Sequence, residues 1–275
     1  MKRLLGLLAI IVAACQFGVA QKDSAKTNQE EAKETRKELI RELKQSKPAV
    51  GPAVSADDVG EPDSFGKNAL FLGVAGSGVI YVYTSCDPAV LLADLGLTLT
   101  TDDRCLAAPN PAVTSVDVFT DVARITIPAK SVKNIVYTLN NHTINWDFSN
   151  GGANTLSGQM SYSPNITIES EALNDPTLIN PNTGMPFNGS FTTSGNGSKF
   201  LAMSLQPGDF SSYVDSYSRA NTLGFSRTFF AALGLPANVI NNLYNKPMTI
   251  RLGARVSVRG VSFGQFSYSA RFLGN

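Results

Sequence analysis

Residues 65–275 of this 275-residue chain predict an all-β fold, an antiparallel β-sandwich or partly closed barrel carrying two or three short helices. Three observations lead there. Short apolar or alternating runs recur between clusters of Gly, Pro, Asn and Asp. Only 16% of the residues are charged, so Asn, Ser, Thr and Gly supply most of the polarity. The last two runs, 247–259 and 261–273, alternate cleanly with the period of a strand.

The chain opens on MKRLLGLLAIIVAACQFGVA, residues 1–20, which reads as an export signal. Lys2 and Arg3 form a basic start, Leu4 to Ala14 an apolar core, and Gly18-Val19-Ala20 a small-residue cleavage site before Gln21. That core falls short of the roughly 20 apolar residues a helical span requires, so no transmembrane helix is expected. Val12-Ala13-Ala14-Cys15 resembles a bacterial lipobox, which makes Cys15 the candidate lipidation site and a lipid anchor the alternative to plain secretion. Both routes place the protein in the periplasm, at the outer surface or outside the cell.

Residues 21–64 follow as a tether. Segment 21–47 is densely charged, with Glu30/Lys33, Glu34/Lys37 and Glu38/Arg41 at a spacing that supports a solvated helix. Segment 48–64 mixes Pro, Gly and acids without periodicity, which suits an extended linker.

Within the β region, 69–74 and 79–84 flank Ala75-Gly76-Ser77-Gly78 and predict a hairpin. Further strands are expected at 113–119, 122–127, 133–139, 142–148, 164–170 and 199–205. Runs 247–259 and 261–273 predict a closing hairpin, with Val256 and Val258 inward and Arg255 and Arg259 in water. Asp87–Leu95, with proline in its first turn, predicts a short helix, and 223–245 predicts two helices broken at Gly234-Leu235-Pro236. A transmembrane barrel is disfavoured, because most runs are shorter than the roughly 9–11 residues a spanning strand needs.

Few residues here carry chemistry. With Cys15 in the signal region, Cys86 and Cys105 remain as a pair, expected to form a disulfide worth about 3 kcal/mol in the chain-entropy account. Zinc needs more ligands than two cysteines and one histidine supply, and no metal or cofactor is expected. Gly73-Val74-Ala75-Gly76-Ser77-Gly78 leads into a strand, so it is no phosphate cradle. His142, the only histidine, is expected in a surface loop, and no Gly-x-Ser-x-Gly elbow accompanies it. Glu169 and Glu171 form the best enzymatic lead: on one strand face, two residues apart, they would lie about 7 Å from each other, with Trp146 and Asp147 as candidate neighbours. The Asn-rich loops at 150–154 and 180–184 lack the anionic ligands that calcium wants. Asn-x-Ser/Thr sequons begin at Asn141, Asn165, Asn188 and Asn196 and matter only in a eukaryotic source.

A formal net charge of +1 excludes nucleic acid as the main partner. Acidic residues outnumber basic ones in 65–198 and the balance reverses in 199–275, so the halves pair locally or make a dipolar particle that associates head to tail or docks an anionic surface. The reading that results is a non-enzymatic exported β-domain, structural, adhesive or ligand-binding, with a protein or glycan partner. The competing class is a secreted carbohydrate-active or calcium-dependent hydrolase using Glu169 and Glu171. An assembly subunit is a third class, which predicts an unpaired edge strand or an exposed patch around Phe225, Phe229 and Phe230.

Overall fold

The computed structural model describes residues 70–274. The signal, tether and linker read over residues 1–64, and Cys15 with them, lie outside the described residues. Two antiparallel sheets face each other as a sandwich. The first contains β1 (Leu70–Tyr83), β2 (Arg104–Ala107), β4 (Ile135–Ser149), β10 (Phe210–Ser226) and β12 (Val261–Gly274), in the order β10-β4-β12-β1-β2. Only the short β1–β2 pairing is parallel. The second contains β3 (Ser115–Ile127), β11 (Met248–Arg259) and β5 (Leu156–Glu169) in the order β3-β11-β5. Beyond β5, its far edge is shared end to end by β8 (Ser190–Ser194) and β9 (Lys199–Leu205). Two-residue strands β6 (Ile179–Asn180) and β7 (Met185–Pro186) form a separate ladder.

Alternation builds the core. On β5 the inward set is Gly158, Met160, Tyr162, Pro164, Ile166 and Ile168, and on β11 it includes Ile250, Leu252, Ala254, Val256 and Val258. Val256 and Val258 are buried and Arg255 is exposed, as the alternation requires, whereas Arg259, expected in water, is half-buried with its Nε enclosed. The buried side chains fall into two clusters along the sandwich. One gathers around Phe225, Phe230, Leu243, Ile250 and Phe272, the other around Ile80, Trp146, Phe148, Tyr162 and Phe266.

β11 and β12 do not form the expected hairpin. β11 pairs with β3 and β5 in the second sheet, whereas β12 pairs with β1 and β4 in the first. A hairpin's tightest usual loop has two residues, and only Gly260, at φ +66°, separates these strands. The chain therefore arches from one sheet to the other at that glycine.

The glycine-rich stretch 73–78 is not a turn either. β1 runs through it with register shifts at Phe71/Gly73 and Ala75/Gly78. A side chain at Gly78 would collide with the backbone carbonyls of Val122 and Asp102, so glycine here permits close approach of β1 to β3. Likewise 113–119 with 122–127, and 133–139 with 142–148, merge into the single strands β3 and β4.

Helix α1 (Pro88–Leu95) is capped by Asp87, whose carboxylate accepts from the N–H groups of Ala89 and Val90, and it ends at Gly96 in the left-handed region. It lies over the outward face of the first sheet. Leu91 and Leu95, with Leu97, cover Val79, Tyr81, Tyr83 and Phe263, forming a third apolar cluster. The Cys86–Cys105 disulfide, with Cα atoms 5.8 Å apart, closes this cover. Helices α2 (Arg227–Ala232) and α3 (Ala237–Asn245) meet at the predicted break, with Pro236 at the N-cap of α3. They cap one end of the sandwich. Phe225 and Phe230 are buried there and Phe229 packs edge-on against both, so the three rings form core packing, not an exposed patch.

Two stability measurements check these assignments. Gly78→Ala places a methyl against backbone that cannot swing aside and is expected to cost about 3 kcal/mol in chemical denaturation. Gly151→Ala, whose added carbon meets nothing within 4 Å, stays within about 0.5 kcal/mol of wild type. Removing the disulfide with C86A/C105A is expected to cost about 3 kcal/mol, the loop-entropy value for a bridge spanning 19 positions.

Candidate functional site

The titratable residues singled out in the sequence fall in separate places. His142 lies in the middle of β4, on its inward face, 1% exposed. The surface loop expected for it does not exist. Val136, Thr138, Asn140, His142, Ile144, Trp146 and Phe148 are all buried, so β4 carries a polar stripe in phase with its apolar residues.

Register explains the surroundings of the imidazole. Tyr217 of β10 and Tyr268 of β12 pair with His142 on either side, and their rings stack on it at centroid distances of 5.0 and 4.7 Å. From the opposite sheet, Tyr162 brings its hydroxyl to 3.1 Å from His142 Nδ1 and presents its ring edge-on.

A loop seals the fourth side. Pro164 interrupts the hydrogen-bonding capacity of β5, and the partner strand breaks opposite it into β8 and β9. The connecting residues 195–198 lie against the stripe. The Gly195 N–H donates to the Pro164 carbonyl at 2.9 Å, and the Gly195 carbonyl accepts from Asn140 Nδ2. The Gly197 carbonyl accepts from the Tyr217 hydroxyl. A Cβ on Gly195 would stand 2.5 Å from the Tyr268 hydroxyl, and one on Gly197 3.0 Å from His142 Nε2. Both glycines are therefore required by close packing.

Burial holds the His142 imidazole neutral, with its pKa pushed down to about 4. The Asn196 backbone lies near enough to favour the proton, without forming a well-aligned hydrogen bond to Nε2, and the Arg219 charge opposes it. Burial also raises the phenols of Tyr162, Tyr217 and Tyr268. Among the described residues, no group hydrogen-bonds Thr138 Oγ1, Asn140 Oδ1, His142 Nε2 or the Tyr268 hydroxyl. Chemically this is a neutral imidazole oriented by a phenol. A nucleophilic triad uses a carboxylate in that position.

Glu169 and Glu171 are separated by the fold. Glu169 ends β5, Ser170 is buried, and Glu171 starts a 3-10 turn, Glu171–Leu173, so the two do not share a strand face. Arg251 on the neighbouring strand binds Glu169 at 2.9 Å and approaches Asp121 at 3.6 Å, while Lys246 binds Glu171 at 3.2 Å. Both carboxylates line an open groove of about 420 Å³, together with Asn174, Asn188 and Thr249. Among the described residues, no aromatic side chain lines it. Trp146 is buried in the core, stacked on Tyr213 at 4.6 Å, and Asp147 points to the opposite face of β4. Thus the structure does not bring Glu169, Glu171, Trp146 and Asp147 together.

Among the described residues, no group of three His, Cys, Asp or Glu side chains could hold a metal ion. No described helix is long and apolar enough to cross a membrane. Of the sequon asparagines, Asn188 is exposed in a left-handed turn, whereas Asn141, Asn165 and Asn196 are half-buried.

No family model matches the chain, and no curated protein matches it in sequence. Among solved structures, two described as infectious bursal disease virus, Gx strain and Gt strain, share 11% and 9% identity with it. These alignments cover 83% and 82% of this chain and 55% and 62% of the viral chains, at TM-scores of 0.17 and 0.08. Likeness of that size carries no argument.

The buried histidine makes stability depend on pH. In the unfolded chain the imidazole takes up its proton near 6.5, and in the folded protein near about 4. Between those values the unfolded state binds more protons, so stability falls as pH drops from about 6.5 to about 4, by about 3 kcal/mol in all. Denaturation curves across that window are expected to show the loss in wild type and a flatter profile in His142→Gln.

Proposed function

We propose that the protein is an exported, non-enzymatic β-domain that serves as a structural, adhesive or ligand-binding module at the cell envelope or outside the cell. The observation carrying this reading is the disulfide-closed cover, residues 86–105, over the outward face of the first sheet. A structural disulfide persists in an oxidising compartment, which agrees with the signal read in residues 1–20.

The disposition of the reactive residues supports the non-enzymatic part. The sole histidine is packed between tyrosines, and Glu169 and Glu171 are each bound by a cation. Glu169 joins β5 to β11 through Arg251, and Glu171 ties the 3-10 turn to the end of α3 through Lys246.

Intact mass of the protein recovered from its source, with fractionation, tests the export reading. A chain beginning at Gln21 with Cys86 and Cys105 oxidised is the outcome of plain secretion, and a diacylglyceryl group on Cys15 in the membrane fraction is that of a lipoprotein. An unprocessed chain carrying free thiols at Cys86 and Cys105 would refute export.

A further inference from the structure

The two outward faces of the sandwich differ in charge. Over the first sheet, the cover from Thr84 to Asp103 contains four aspartates and no lysine or arginine. Asp103 is buried, accepting from the Val79 and Thr100 N–H groups, while Asp87, which caps α1, Asp94, which accepts from the Tyr83 hydroxyl at 3.0 Å, and Asp102 are exposed, and Leu92 of the same cover is 57% exposed. Arg104 turns its guanidinium to the carbonyls of Thr101, Asp103 and Asp121.

The outward face of the second sheet is basic. Arg124, Arg251, Arg255 and Arg259 share it. Asp121 and Glu169 neutralise the first two, but Arg255 and Arg259 have no ion-pair partner among the described residues. They stand about 13 Å apart along β11. Register sets Arg255 between Val118 and Ser163, and Ser257 between Val116 and Ser161, with Phe200 following in that row. Val116, Val118 and Phe200 are 50%, 53% and 63% exposed. Asp117, the nearest acid on β3, takes the opposite parity to Val116 and Val118.

From this complementarity we infer that the molecule self-associates head to tail, the acidic cover of one copy seating on the arginine face of the next. The α1 cover and the arginine row each offer exposed apolar surface and charge of one sign without an ion-pair partner among the described residues, on opposite sides of the sandwich; Arg271, exposed at the outward parity of β12, pairs in register with Val74 at the end of the first sheet away from the cover. Docking one on the other leaves a free face of each kind, so the contact is heterologous and propagates as a linear chain of copies. The occupant is a second copy because the matching acidic and apolar groups are found on this same chain. The inference stands on the two faces and is independent of the compartment proposed above.

Sedimentation velocity over a range of protein concentrations, at low ionic strength and at about 1 M salt, where the Debye length is about 3 Å, tests it. Wild type is expected to form species beyond the dimer at low salt and to dissociate at high salt. R255E/R259E and D94K/D102K, each confirmed folded by circular dichroism, are expected to remain monomeric alone. An equimolar mixture of the two recovers association, since each reversed face then meets its complement. A wild-type protein monomeric at every concentration at low salt overturns the inference, as does a mixture that fails to associate. Retention of a monomeric wild type on a sulfated polysaccharide column, lost in R255E/R259E, would overturn it too and assign the arginine face to an acidic glycan. Should D94K/D102K fail to fold, association of R255E/R259E at the wild-type level is the refuting result.

Discussion

The polar stripe inside β4 is the constraint to which the rest of the sandwich is fitted. Thr138, Asn140 and His142 point between the sheets at positions where the neighbouring Val136 and Ile144 supply hydrocarbon. Burying such groups is costly unless they are hydrogen-bonded or packed against polarizable surface. The fold answers at His142 with tyrosines from three other strands and at Asn140 with the Gly195 carbonyl, while the Gly197 carbonyl takes the Tyr217 hydroxyl. The 195–198 loop exists at this height because Pro164 breaks the ladder on β5. Pro164, the two loop glycines and the three tyrosines therefore form one arrangement around a neutral imidazole, with an apolar cluster to either side.

A second constraint acts on the outside. The last five residues of β1 are apolar on both faces, and Phe263 near the start of β12 faces outward beside them, so a sandwich alone would leave Val79, Tyr81, Tyr83 and Phe263 in water. Helix α1 supplies the missing layer, and the disulfide ties its start to β2. Cover and strand are mutually dependent. The Asp103 carboxylate, accepting from the Val79 N–H, adds a buried polar contact between them.

What was legible in the sequence was local. Asp87-Pro88 marks the start of α1, Gly234-Leu235-Pro236 marks the break between α2 and α3, and the 199–205 run coincides with β9. Alternation likewise placed Val256 and Val258 inside. It could not say which sheet a strand joins, because that depends on partners far along the chain, and so β11 and β12 read as a hairpin when they arch between sheets. The glycines at 73–78 signal close backbone approach as well as turns, and local sequence does not separate the two. His142 was missed for a different reason. Asn and His next to each other resemble loop chemistry, and the apolar alternation at Ile144, Trp146 and Phe148 assigns His142 to the core only once the strand is known to continue through it, since Ile135, Tyr137 and Leu139 alternate in the opposite phase. Proximity in sequence also misled at Trp146 and Asp147, where strand pleating sends adjacent side chains to opposite faces.

The strand edges show where intermolecular contact is left open. β3 carries Asp117 at the inward parity of Phe119 and a register shift opposite Leu252/Ala254, and β2 has only four residues. The β8–β9 edge is interrupted at 195–198. β10 is long, but Asp215, bound to Lys199 at 2.7 Å, and Arg219 take its inward parity, so an added strand would have to accommodate charge. Bulges, short edges and inward charges all oppose edge-to-edge pairing. The broad outward faces lack such protection. On the first sheet's outward face the charge lies in the aspartates of the α1 cover and in Arg271; on the second sheet's it lies in the ion-paired Arg124 and Arg251 and in Arg255 and Arg259, which have no ion-pair partner among the described residues. An edge contact would draw on backbone groups present in any sheet, whereas a face contact draws on side chains particular to this chain. The same sequence that blocks the first supplies the groups for the second.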